Sequence, residues 1–293
     1  MQDEPFSHRD VDVGDLKLHV VEAGKGPLVV LLHGFPEFWG SWRHQIRALA
    51  RAGFRVAAPD MRGYHLSDKP PSVGAYRLER LESDVAGLIR SCGADKAAIV
   101  GHDWGGAVAW SFAQSQPRMV ERLVILNAPH PRRMARGLWT LRQARKSWYV
   151  LFFQIPAVPE RWLSNNDFQV LRALFERDGM AGADIQRLVD AAARGDDRLR
   201  GPVHYYRAAL RQSAFGGARS PQRIDAPVLV IWGEADRFLG KELAVPEGRW
   251  VPNARVEFVP NASHWVQQHA PDRVNALLVD FLADLRSSSS TIG

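Results

Sequence analysis

The chain has 293 residues, 46% of them apolar, and a formal net charge of +6, so it is long enough to bury a full core in one large domain or a domain with an insertion. One cysteine, Cys92, excludes an internal disulfide framework, and no apolar run nears the ~18 residues of a membrane helix. The charge excess sits in residues 130–215, with fifteen basic against eight acidic side chains. These arginines are spread through amphipathic patterns without aromatic platforms or polybasic clusters, so neither nucleic acid nor a membrane surface is expected as a partner. With the polar start "MQDEPFSHRD", the expectation is a cytoplasmic protein.

In chain order, "VDVG" and "LKLHVVEAG" read as strands joined through Gly14-Asp15, an antiparallel hairpin at a sheet edge. "PLVVLLHG", "FRVAAPD", "AAIVGHD" and "RLVILNAP" are nearly continuous in apolar residues, as parallel strands covered on both faces should be. Helical patterns at 37–51, 77–92 and 104–116 separate them, which is the βαβ order of a doubly wound, mostly parallel α/β sheet. The alternation then stops between about Pro129 and Ala218, where every pattern is helical. The stretch "GLWTLRQARKSWYVLFFQ" reads as one helix. "NDFQVLRALFERDG" reads as another, with Asn165, Asn166 or Asp167 as its cap and Gly179 past its end. "ADIQRLVDAAARG" stops at Gly195, and Gly201-Pro202 opens a fourth helix. Strands resume with "PVLVIWGE" and "ARVEFVP", a helix covers 270–286, and the serine-rich tail reads as disordered. The expected organisation is a core of residues 1–128 and 219–293 with a helical cap, 129–218, inserted at the carboxyl ends of the strands, where open α/β sheets bind ligands.

"AAIVGHDWGGAVAW" has the strand–turn–helix setting of the G-x-S-x-G elbow, but Asp103 stands in the serine's place. By itself that is a weak signal, since Asp103 also suits a cap for a helix beginning at Trp104. Three companions strengthen it. "HGFPE", His33 to Glu37, follows a strand in the position that supplies an oxyanion hole, with backbone N–H groups of Phe35 and Trp104 as donors. Asp236 in "WGEADRF" lies just past a buried strand, with Glu234 as its rival. His264 in "PNASHWVQQHAP" lies beyond the last strand, with His269 as its rival. The order Asp103, Asp236, His264 is nucleophile, acid, histidine. A serine needs a base to become nucleophilic, whereas a carboxylate is ionised at neutral pH and suits attack on saturated carbon. Histidines and carboxylates show no close spacing such as H-E-x-x-H, so no metal is expected, and nothing calls for a cofactor.

From about Pro5 to Leu285 the sequence resembles the α/β-hydrolase superfamily, specifically its epoxide hydrolase branch. The resemblance is carried by "HGFPE", "DMRGYHLSDKP", "GHDWGG", "SWYVLFFQIPAVPE", "YYRA", "WGEADRF" and "SHW". It implies Asp103 as nucleophile, His264 as base, Asp236 as the acid that orients it, and Tyr149 and Tyr206 as cap tyrosines holding the epoxide oxygen, with Tyr205 the rival of Tyr206. The expected pocket residues are His33, Pro36, Glu37, Trp148, Phe152, Phe153 and Trp265. Two positions depart from the family pattern, His65 and Ser263, where glycine is usual. The implied partners are a small apolar epoxide and water, acting on a monomer or homodimer. Two other readings use the same residues: a haloalkane dehalogenase, which Trp104 fits as a halide donor but Phe35 does not, and a non-catalytic receptor of hydrolase fold.

Overall fold

A computed structural model describes residues 6–194, 199–215 and 222–289. Eight strands form one sheet in the order β1-β2-β4-β3-β5-β6-β7-β8: β1 (Ser7–Asp12), β2 (Lys17–Ala23), β3 (Leu28–Leu32), β4 (Arg55–Pro59), β5 (Ala97–His102), β6 (Val120–Leu126), β7 (Val228–Gly233) and β8 (Ala254–Val259). The β1–β2 hairpin is antiparallel and joins β4 antiparallel, while the remaining pairs are parallel. Continuous apolar strands serve two cores, because alternate side chains point to opposite faces. On β3, Val30 and Leu32 enter one core and Val29 and Leu31 the other.

Helices α1 (Arg43–Arg51), α2 (Leu78–Ser91), α3 (Trp104–Ser115), α10 (Val266–His269), α11 (Pro271–Leu282) and α12 (Asp284–Ser289) connect or follow the strands. The pattern expected as one helix from residue 37 begins as a 3-10 turn, Trp39–Trp42, and becomes α-helical at Arg43.

Between β6 and β7 lie α4 (Pro131–Gly137), α5 (Leu141–Lys146), α6 (Trp148–Phe152), α7 (Val158–Arg177), α8 (Gly182–Ala192) and α9 (Arg200–Phe215). The stretch expected as one helix from Gly137 is broken. Thr140 caps a new start at α5 by accepting the Gln143 N–H, and Ser147 separates α5 from α6. The helix expected to follow residues 165–167 does so: residues 165–168 are non-helical, with positive φ at Asn166, Asp167 and Phe168, and they separate it from a helical stretch within α7, starting at Val158, that was not expected. The expected stop at Gly195 and the cap boundary at 218 lie outside the described residues. Among the described residues, no helix is long and apolar enough to cross a membrane.

Strand order assembles the functional loops. Neighbours β3 and β5 bring residues 33–37 beside Asp103, and neighbours β6, β7 and β8 bring Asn127, Asp236 and His264 to one end of the sheet.

Candidate active site

At the end of β5 the chain reverses into α3 through Asp103, whose φ of 48° and ψ of −115° put a non-glycine residue in strained backbone. The turn closes only because its neighbours are glycines. A Cβ on Gly101 would overlap the Gly105 carbonyl, and one on Gly105 would overlap the Leu32 carbonyl. Asp103 makes no side-chain cap to α3. Its Oδ1 instead accepts the Phe35 N–H at 2.8 Å, and its Oδ2 lies 3.5 Å from His264 Nε2.

His264 Nδ1 is 2.8 Å from Asp236 Oδ2. That carboxylate is held on all sides, with Oδ1 accepting the Phe238 and Leu239 N–H groups and Oδ2 accepting Asn127 Nδ2 at 2.7 Å. Burial alone would raise the Asp236 carboxyl, but the His264 charge and these hydrogen bonds hold it below the ordinary carboxylate range. Burial would likewise lower His264. The Asp236 and Asp103 carboxylates outweigh it and hold the imidazole well above the usual histidine value. The rivals are engaged elsewhere: Glu234 pairs with Lys241 at the surface, and His269 Nδ1 bonds Ser263 Oγ.

A cavity of about 720 Å³ opens over these groups. Asp103, His264 and Asp236 form part of its wall together with Phe35, Pro36, Trp148, Tyr149, Phe153, Tyr206 and Trp265. Tyr206 stands edge-on to Phe35 at 5.3 Å and to Trp104 at 4.9 Å, and its ring is 5.8 Å from that of Tyr149. Burial raises both phenols above their ordinary value, and the Asp103 charge adds to it, so each keeps its proton as a donor. Tyr205 points away and donates to the Arg62 carbonyl at 2.8 Å.

Three residues expected in the pocket do not line it. His33 is fully buried behind the wall, its Nε2 accepting the Met61 N–H at 2.9 Å. Glu37 is buried too, accepting from Gly34 N–H, His102 Nδ1, Gln267 and Gln268. It ties the 33–37 loop to the elbow and to α10. Phe152 packs on Trp162 at 5.3 Å, one layer outside Phe153.

Other wall residues were not singled out in the sequence: Trp162, Leu163, Val170 and Leu174 from α7, Arg237 and Phe238 from the "WGEADRF" loop, and the charged Arg145, Lys146, Arg177 and Asp178. Arg145, Lys146 and Arg177 of the basic stretch thus line the cavity. Asn127 was equally hidden, its only sign being a polar residue closing the apolar run of β6, at φ 40°.

The model of the alpha/beta hydrolase fold family matches residues 27–271. The AB hydrolase superfamily protein YfhM of Bacillus subtilis is 42% identical over 93% of this chain and 96% of its own length. Epoxide hydrolase 4 of Homo sapiens is 38% identical over 92% of this chain and 76% of its own. The crystal structure of a Bacillus megaterium epoxide hydrolase in complex with an inhibitor superposes with a TM-score of 0.85 at 31% identity, covering 94% of this chain and all of that one.

Proposed function

Because the chain belongs to the α/β-hydrolase fold family and to its epoxide hydrolase branch, we propose that it converts a small apolar epoxide to a vicinal diol through a covalent ester on Asp103. Residues 129–218 act as the cap of the site and residues 1–128 and 219–293 as its core. The observation that carries this reading is the seating of Asp103, with one carboxylate oxygen on the Phe35 N–H and the other facing a histidine backed by Asp236.

The epoxide enters with its oxygen toward Tyr149 and Tyr206. Asp103 Oδ2 attacks a ring carbon, the carbon–oxygen bond breaks, and the departing oxygen takes a proton from the tyrosine pair. Oδ1 becomes the ester carbonyl oxygen, already on the Phe35 N–H, with the Trp104 N–H as second donor. Alkylation removes the Asp103 charge, one of the two that hold a proton on His264. The imidazolium then passes its proton to the tyrosinate and, now neutral, accepts one from water as the hydroxide attacks the ester carbon. Collapse of the tetrahedral oxyanion expels the alkoxide oxygen of the diol, which takes that proton, and the acid proton left on Asp103 returns to His264.

The test is the variant His264→Gln, which should alkylate but hydrolyse poorly. Intact mass spectrometry after exposure to styrene oxide is expected to show an adduct of the epoxide's mass on the peptide containing Asp103. No adduct in this variant, with a stable one on another residue of the parent, would overturn the reading.

A further inference from the structure

Away from the cavity, four residues converge where the β1–β2 hairpin meets the end of β4. The register pairs Val20 with Pro59, so His19 and Asp60 are the next residues across, and the Asp60 N–H donates to the His19 carbonyl at 2.9 Å. His8 stands diagonally across the hairpin from His19 on β1. His65 arrives from the following loop with φ 41°, left-handed backbone at one of the two positions where the family pattern has glycine. His19 Nδ1 and His65 Nδ1 both lie 2.8 Å from the same oxygen, Asp60 Oδ2, and the three ligating atoms fall within 4.8 Å of one another.

We infer that His19, Asp60 and His65 form a binding site for one divalent transition-metal ion of the zinc class, clamping the hairpin to the 61–68 loop. Two imidazoles and a carboxylate are a donor set that zinc, cobalt and nickel accept, with water as a fourth ligand. A tetrahedral ion at ~2.0–2.1 Å from each ligand sets them about 3.3 Å apart, so the two 2.8 Å separations to Asp60 open slightly and the His19–His65 separation, within 4.8 Å, settles to the same value. The supporting groups are in place as well. His19 Nε2 is 3.0 Å from His8 Nδ1, and Asp60 Oδ1 accepts the Trp39 N–H at 3.0 Å, so a ligating ring and the ligating carboxylate are each oriented from behind. Without metal, the Nδ1–H groups of His19 and His65 donate to Asp60. With metal, each neutral ring carries its proton on Nε2 instead, and His8 accepts from His19 where it formerly donated. The cation at the edge of the cluster, Lys69, is turned onto the His65 and Ser67 carbonyls. A built site also accounts for a strained histidine on a loop where glycine costs nothing.

The test is titration of chelator-treated full-length protein with zinc by calorimetry and with cobalt by visible absorption. The parent should take one ion per chain with the tetrahedral cobalt spectrum. His65→Gly relieves backbone strain and so keeps the fold, which circular dichroism checks, and it should weaken binding by about 100-fold or more. His8→Ala should weaken it ~10–100-fold, as loss of an orienting partner does. His264→Gln should leave binding unchanged, separating this site from the catalytic histidine. Zinc should raise the melting temperature of the parent and not of His65→Gly. Equal affinity in parent and His65→Gly, loss of binding in His264→Gln instead, or no ion held by the folded parent would each overturn the proposal. These readouts concern metal alone and are independent of epoxide turnover.

Discussion

At the scale of single residues the tyrosine pair separates an alkoxide leaving group from a halide. Only the alkoxide needs a proton, and half-buried Tyr149 and buried Tyr206 are two protonated phenols on the cavity wall that holds Asp103. Losing general-acid help costs ~10²–10⁴ in rate. Because the donors share one oxygen, Tyr149→Phe or Tyr206→Phe alone should slow alkylation modestly, and the double change should slow it by about 10² or more, read by stopped-flow tryptophan fluorescence. A haloalkane that alkylates the double variant as fast as the parent, alongside an unchanged epoxide rate, would favour the dehalogenase reading. Asp103, Asp236 and His264 are legible in the sequence because each lies in the loop after a strand, in a fixed order. Tyr206 is not distinguishable from Tyr205 by pattern. Adjacent residues of α9 face different neighbours, and only the fold shows Tyr205 bonded to the Arg62 carbonyl and Tyr206 facing the cavity. Asn127 carries no motif at all, since its role depends on a partner 109 positions away.

At the scale of elements, α9 is anchored to α6 and α7 by one buried side chain. Arg207 makes a bidentate pair with Glu160, at 2.5 and 3.1 Å, and donates to the Phe153 and Ile155 carbonyls. Both partners of the pair are buried. Glu160→Ala would strand the guanidinium charge, a loss worth about 3–5 kcal/mol. Urea unfolding should show that drop, with earlier protease cleavage in 129–218 than elsewhere, and an unchanged midpoint would mean the pair contributes nothing net. The strands were legible because parallel strands buried on both faces read as unbroken apolar runs. The helical character of the cap was legible but not the number of its pieces: four helices were expected where α4 to α9 make six. Amphipathic periodicity runs straight through Thr140 and Ser147, whereas the chain breaks there, and the start expected at 165–167 follows an unwound segment, before which an unexpected helical stretch begins at Val158.

At the scale of the molecule, the carboxyl end of the sheet is tied together by Glu37, which accepts from the 33–37 loop, the elbow and α10 at once. Burial would raise this carboxyl, but the His102 charge and its hydrogen bond outweigh it and hold the group at about 2, against an ordinary 4.5. A depressed carboxyl stabilises the fold fully above its unfolded value and loses that contribution as pH falls toward the folded one. The melting temperature should therefore fall as pH drops from 4.5 toward 2, and Glu37→Gln should flatten that limb while lowering the plateau. An acid limb of the same steepness in the variant would assign the acid sensitivity to other carboxylates. Proximity of this kind, like that of His19 to His65, is created by strand order and leaves no mark in local spacing.

In the proposed mechanism water attacks the enzyme's carbonyl and never the epoxide carbon. A single turnover of excess enzyme on an epoxide in heavy-oxygen water tests it most directly, by mass spectrometry of the diol and of the peptide containing Asp103. The new oxygen of the diol should be light, taken from Asp103 Oδ2, with the heavy oxygen left in the Asp103 carboxylate. A heavy diol from that first turnover, with an unlabelled Asp103, would contradict it and make Asp103 a general base for direct attack by water.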